Sequence, residues 1–288
     1  MSKYDLNNLI QSHAVVSLPT CPSVFLLLVE VLENPDSAGS KLNEVLSSDQ
    51  ALCSQVLRLA NSATFGCERQ VASIEDAVLR IGYQNIWTMA LAIKTKEILE
   101  PSSGGWADVN DQMWWHAFKT AIFARFIGKQ INPSMASVFF TSGLLHDLGK
   151  WIMLKIVPNY LTICDNGRVF GPPLIAMEQA NLGTNHANIG GDMINYWRLP
   201  ELIEKLVRGH HDYAPGTFGV MDAQYVVPMA DEMAHFLGDA TQDFGADAEV
   251  IFPRTMLERS LMSTRAVEMM LAEFQRLRDA LNKSRNPG

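Results

Sequence analysis

No run of lysines and arginines occurs anywhere in the chain, so no linear basic surface for nucleic acid is written into it. The formal charge is −8, from 31 acidic and 23 basic residues, a balance that disfavours a polyanion partner while leaving room for a local pocket that holds a small phosphate. Cysteine is scarce: four residues, at 21, 53, 67 and 164, with no CxxC pair. They read as small core hydrophobes of a protein in a reduced compartment. Long apolar runs are missing too. VFLLLVEVL and IWTMALAI are broken by charge well before the length of a membrane span, and the opening MSKYDLNNLIQ has no secretory core. The expectation is a soluble, cytoplasmic protein with no membrane and no nucleic-acid partner. Clear polar–apolar alternation is also absent, which leaves no strand and makes the fold all-α.

Nearly every segment has helical period instead. At 288 residues, 48% hydrophobic and 19% charged, the chain suits one large domain or two small ones with a sizeable core. Helices are expected over 23–33 and 40–47, with Ser23 and Ser40 as caps, and over 49–61 from Asp49. The run 73–99 starts on Ser73 and is split by Gly82. The stretch 100–110 (EPSSGGWADVN) is the best internal boundary. Beyond it, helices are expected near 111–130, 134–155, 173–182, 184–197, 200–209, 222–237 and 256–282. The last is strongly amphipathic and should pack on the body.

Against this apolar background one stretch stands out, SGLLHDLGKWIML at 142–154. Leu144, Leu145, Leu148, Ile152 and Met153 face a core, yet His146, Asp147 and Lys150 sit among them. Buried polar groups of this kind must be paired, hydrogen-bonded or metal-bound, since an unpaired one costs several kcal/mol. Only seven histidines exist, at 13, 116, 146, 186, 210, 211 and 235. His116 lies in WWHAFKTAIFARFIG, His186 opens NHANIGGDMINYW, His210 and His211 follow Gly209, and Asp231 sits in VVPMADEMAHF. Each has a bland alternative. His116 can simply cap or pack, Asp147 can pair with Lys150, and His235 reads as a supporting or exposed residue.

The order His, His-Asp, His, His-His, Asp resembles the HD superfamily of metal-dependent phosphohydrolases. The phrases LPTCPSVFLLLVEVLENP, LSSDQALCSQVLRLANSATFG, IEDAVLRIGYQNIWTMAL, FTSGLLHDLGKWIML and GTNHANIGGDMINYWRLPELIEKLVRGHHDY resemble its HDOD group, over roughly residues 16 to 240. The likeness implies a helical bundle of HD-superfamily type: an N-terminal helical lobe over 1–105, a metal-binding lobe over 106–240, and a C-terminal helical extension over 241–288 packed on the same unit. Many HDOD members have lost the metal ligands and act as regulatory modules; this chain retains most of them, in an order similar to that of the HD-GYP branch. It departs from that branch in three places. HHDYAPGTFGVMDAQ replaces the Gly-Tyr-Pro stretch, Asp212 stands where a glutamate is usual, and Gln112 stands where three-metal members carry a carboxylate.

The resemblance therefore implies two ions, bridged by Asp147. His116, His146 and Asp231 would hold one, and His186, His210 and His211 the other. The nitrogen–oxygen donor set suits iron or manganese first, and nickel or zinc next. Two cations about 3.5–4 Å apart can activate a hydroxide and polarise a phosphoryl oxygen. Asp147 and Lys150 are the candidate catalytic residues, Lys150 meeting a substrate phosphate or orienting Asp147. Arg125, Arg198 and Arg208 could contribute. Two functions follow: a phosphohydrolase acting on a phosphorylated small molecule or nucleotide in bacterial signalling, or a non-catalytic HDOD module that binds a protein partner or nucleotide. Two details of local geometry bear on the site. His210 and His211 can share it only at a helix end, because neighbours in a helix diverge by about 100°. Pro228, three residues before Asp231, either breaks a helix or starts one there, and a break would shift Asp231 out of reach.

Overall fold

A computed structural model of the chain describes residues 19–31, 38–65, 70–99, 107–164, 169–212, 222–237, 260 and 262–285. Among them there are helices and short 3-10 turns but no strand. None of the helices is long and apolar enough to cross a membrane. The chain forms two compact units, one comprising residues 1–20 with 101–267 and the other residues 21–100 with 268–288.

The second unit holds α1 (Ser23–Glu30), α2 (Ala38–Ser48), α3 (Gln50–Ala60), α4 (Ile74–Ile81) and α5 (Tyr83–Leu99), together with most of the terminal helix (Thr264–Arg285). Ser23 and Ser40, expected as caps, lie inside their helices. Gly82 ends α4 at φ 88°, a conformation that favours glycine, and so separates α4 from α5. α5 is buried without a break from Ile86 to Thr95, and Trp87 donates its indole N–H to the Leu28 carbonyl at 2.9 Å.

Asp49 caps α3 by accepting from the Leu52 N–H at 2.9 Å, and it pairs with Lys94 at 2.6 Å. Both contacts favour its ionised form, the backbone bond most, and hold its carboxyl below the ordinary 3.8. Asp49→Ala is expected to cost about 1 kcal/mol, the usual worth of such a cap. A folded-state pKa below the unfolded one means the contribution is complete above the ordinary value and fades as pH falls through the lower one. Urea denaturation of both proteins at neutral and acid pH should show the difference shrinking.

The first unit holds α6 (Ala107–Ile131), α7 (Ala136–Leu145), α8 (Leu148–Ile156), α9 (Tyr160–Ile163), α10 (Gly171–Leu182), α11 (His186–Tyr196), α12 (Glu201–Arg208) and α13 (Val226–Phe236). α6 packs against α7 and α13, and α11 against α8 and α12. The single helix expected over 134–155 is two, broken at His146 and Asp147. Apolar period continues across the break, so it hides it. Pro228 sits in the first turn of α13, where its missing N–H has no helical partner to lose. It breaks nothing.

Candidate metal centre

Five local features place the polar groups. The break between α7 and α8 aims His146 and Asp147 inward. Asp147 occupies the position before α8 yet caps nothing with its side chain, which leaves the carboxylate for the interior. α6 contributes His116 from mid-helix. α11 starts on His186, capped by Asn185, whose side chain accepts from the Asn188 N–H at 2.9 Å. α12 ends at Arg208, and the turn through Gly209 sets His210 and His211 on one side. α13 brings Asp231 and, one turn on, His235.

These groups meet around Asp147. Its Oδ2 lies 3.3 Å from His146 Nε2 and 3.9 Å from His116 Nε2; its Oδ1 lies 3.4 Å from His186 Nε2 and 3.8 Å from His210 Nε2. Asp231 Oδ1 stands 2.9 Å from His116 Nε2 and 3.4 Å from His146 Nε2. His211 Nε2 faces His186 Nε2 at 3.1 Å. All seven ligand candidates from the sequence are thus brought together. Lys150 is beside them, its ammonium donating to Asp147 Oδ2 at 2.7 Å. Of the arginines, Arg208 is bound to Glu204 and Asp192 instead.

Two further residues take part, His235, expected as a supporting or exposed residue, and Glu178. His235 Nε2 lies 3.4 Å from Asp231 Oδ1. Glu178 of α10 is fully buried and accepts from both the backbone N–H and the Nδ1–H of His186, at 2.9 and 2.8 Å. Tyr160 donates its hydroxyl to the other oxygen of Glu178. The only sequence signal for His235 was its spacing of four from Asp231; Glu178 had none.

The ring protons decide what the pocket presents. His146 donates Nδ1–H to the Gly143 carbonyl at 2.8 Å, and His210 donates its own to the Val207 carbonyl at 2.6 Å. With His186 tied to Glu178, three rings commit Nδ1 outward and turn Nε2 inward. That is how second partners fix the tautomer of a metal-binding histidine. His146 Nε2, His210 Nε2 and Asp147 Oδ1 are buried and have no hydrogen-bond partner, an arrangement worth retaining only if something else satisfies them.

Charge agrees. Burial holds His116 below its usual range despite Asp231, and it holds His210 well below, aided by the charges of His211, His146 and His186. Burial likewise presses His211 and His235 to about 3. Burial alone would raise both acids and lower His146. The charges of His146 and Lys150 outweigh it at Asp147, and the charge of His235 with the hydrogen bond from His116 does so at Asp231, so both carboxyls lie well below their usual range. Asp147 in turn drives His146 up to about 10. Ionised carboxylates and neutral imidazoles are the donor forms a divalent cation needs, and His116, His210, His211 and both acids have them; His146 must release a proton as an ion binds. Three sets have their donor atoms within 4.8 Å of one another: His186, His210 and His211; His116, His146 and Asp147; and His116, Asp231 and His235. The residues fit a divalent transition metal.

Close backbone approach holds the halves of the pocket together. A Cβ on Gly149 would overlap the His186 carbonyl oxygen and lie 2.8 Å from the Gly190 nitrogen. Backbone cannot swing aside as a side chain can. Gly149→Ala is expected to cost roughly 3 kcal/mol, at the upper end of overpacking, and to push Asp147 from His186. Chemical denaturation measures the first effect and Mn2+ titration the second.

The HDOD domain family profile matches residues 18–213. A Treponema pallidum (strain Nichols) protein of uncharacterised role is 27% identical over 252 residues, covering 85% of this chain; the chain spans 45% of that relative's length. Two crystal structures, one of an HDOD domain protein of unknown function from Geobacter sulfurreducens and one of a Shewanella amazonensis SB2B protein provisionally named a phosphohydrolase, each superpose with a TM-score of 0.68 at 22% identity, covering 98% of both chains. At that identity the likenesses carry the fold alone. With the family profile spanning more than half of its length, the chain belongs to the HDOD domain family.

Proposed function

We propose that the protein is a metal-dependent phosphohydrolase acting on a phosphomonoester or phosphodiester of nucleotide type in bacterial signalling. One observation carries the reading: buried, unpartnered ring nitrogens and a buried carboxylate oxygen converge from several helices on Asp147. His116, His146 and Asp231 would hold one ion and His186, His210 and His211 the other, with Asp147 between them. The set suits iron or manganese first, and nickel or zinc next. Bound there, the ions would supply an activated water and draw charge from a phosphoryl oxygen.

The chain's own residues do the rest. Asp147 presents one oxygen to each group of imidazoles. The Nδ1 hydrogen bonds keep His146, His186 and His210 from rotating. Lys150, half-buried, is placed to hold Asp147 or to meet a phosphate oxygen. The order of these ligands along the chain is similar to that of HD-GYP hydrolases; residues 213–221, where the Gly-Tyr-Pro departure falls, lie outside the described residues.

A second reading is a regulatory HDOD module whose metal is structural and whose ligand is a signalling protein or nucleotide. The 2.7 Å contact of Lys150 with Asp147 favours it, because the ammonium already neutralises that carboxylate. One experiment separates the two. Protein stripped with EDTA is reloaded with Fe2+, Mn2+, Ni2+ or Zn2+, assayed for bound metal, and screened against phosphomonoesters, phosphodiesters and cyclic dinucleotides. About two ions per chain with turnover supports the hydrolase. Uptake without turnover supports the module, and no uptake of iron, manganese, nickel or zinc removes both.

A further inference from the structure

The proposed ligand set leaves His235 out, yet its ring belongs to the pocket. It lies one turn beyond Asp231 on α13, with Nε2 3.4 Å from Asp231 Oδ1. Its ring centroid is 4.2 Å from that of His116. One ring nitrogen of His116, one of His235 and a carboxylate oxygen of Asp231 are all within 4.8 Å of one another. Phe170 fixes the ring from the far side, stacked at 4.2 Å and 13°. The His235 side chain is 24% exposed where those of His146 and His210 are 0%, so this group is the outer edge of the centre.

His116 decides how the edge can work. It belongs to two candidate groups, one with His146 and Asp147, the other with Asp231 and His235. A single Nε2 lone pair binds one ion at a time. The two groups are therefore overlapping seats for one ion, not seats for two. We propose that His235 is a ligand of the outer ion and, with His116 and Asp231, forms a cation seat at the mouth of the pocket. The proposal rests on the metal-binding reading above.

Two variants test it, by binding and spectroscopy rather than by activity. His235→Phe keeps a ring on Phe170 and removes the nitrogen. Mn2+ titration of the stripped protein should show one of two binding steps weakened at least roughly 10- to 100-fold, the loss seen even when only a ligand's supporting partner is removed. The other step should be unchanged. His235→Cys loaded with Co2+ should show a thiolate-to-cobalt charge-transfer band absent from Co2+-loaded wild type. Wild type taking two ions, with His235→Phe titrating identically and no new band in His235→Cys, overturns this proposal and leaves the hydrolase reading standing. Wild type taking none overturns both.

Discussion

Asp147→Asn is expected to abolish uptake of both ions, weakening each at least about 100-fold, and to bring any phosphoester turnover to background. The size follows from position. Asp147 Oδ2 serves the His116–His146 side of the pocket and Oδ1 the His186–His210 side, so one substitution withdraws a charged donor from both. Loss of a partner outside the ligand shell already costs 10- to 100-fold in affinity, roughly, and a shared anionic ligand costs more. Asn retains the volume and can still accept from Lys150, whose ammonium is 2.7 Å away, so the helical fold should persist by circular dichroism. Stability provides a second readout. A ligand present at about 100 times its Kd adds ~2.7 kcal/mol to the folded state. Wild type should gain that per ion in Mn2+, and Asp147→Asn should gain nothing. Unchanged uptake would remove Asp147 from the site; loss of one ion alone would show that it serves a single seat and end the bridge.

Asp147 also marks the boundary of what the sequence could convey. The helices were legible because each buries a stripe at helical spacing, as Leu52, Val56 and Leu59 do in α3. Most of the pocket's donors were legible through the resemblance to the HD superfamily, whose ligand order these histidines and acids follow; composition alone showed only that few histidines occur and that most stand in apolar segments. The helix break at His146 was not, because Leu144, Leu145, Leu148 and Ile152 keep the core face continuous through it. Nor could spacing show that Pro228 starts α13 rather than interrupting it. His235 was placed near Asp231 by helix periodicity, but its ring's approach to His116 depends on how α13 meets α6. Glu178 was invisible for a similar reason. Its contact with His186 depends on Gly183, which ends α10 at φ 71° and turns the chain so that α11 begins against α10.

That contact carries the second large effect. Glu178→Ala is expected to destabilise the protein by about 3–5 kcal/mol, because several buried donors lose their acceptor at once. The carboxylate is fully buried and is an acceptor for three donors: the His186 backbone N–H, the His186 Nδ1–H and the Tyr160 hydroxyl. Truncation orphans all three, and each unsatisfied buried group costs roughly 1–3 kcal/mol. The protein places this cost where it also controls chemistry. With Glu178 ionised, Nδ1 of His186 must carry the proton, and Nε2, 3.4 Å from Asp147 Oδ1, keeps its lone pair for the pocket. Burial works against that ionised state, but the His186 and Tyr160 contacts outweigh it and hold the Glu178 carboxyl below its ordinary value. Glu178→Gln isolates the tautomer effect from the cavity. The amide keeps the volume and can accept from only one oxygen, so His186 loses its enforced orientation while the core stays filled. Mn2+ titration of Glu178→Gln should show the step assigned to His186, His210 and His211 weakened roughly 10- to 100-fold, and the His116 step unchanged. Equal weakening of both steps would mean that Glu178 props the whole pocket; no weakening would mean that His186 needs no partner to present Nε2.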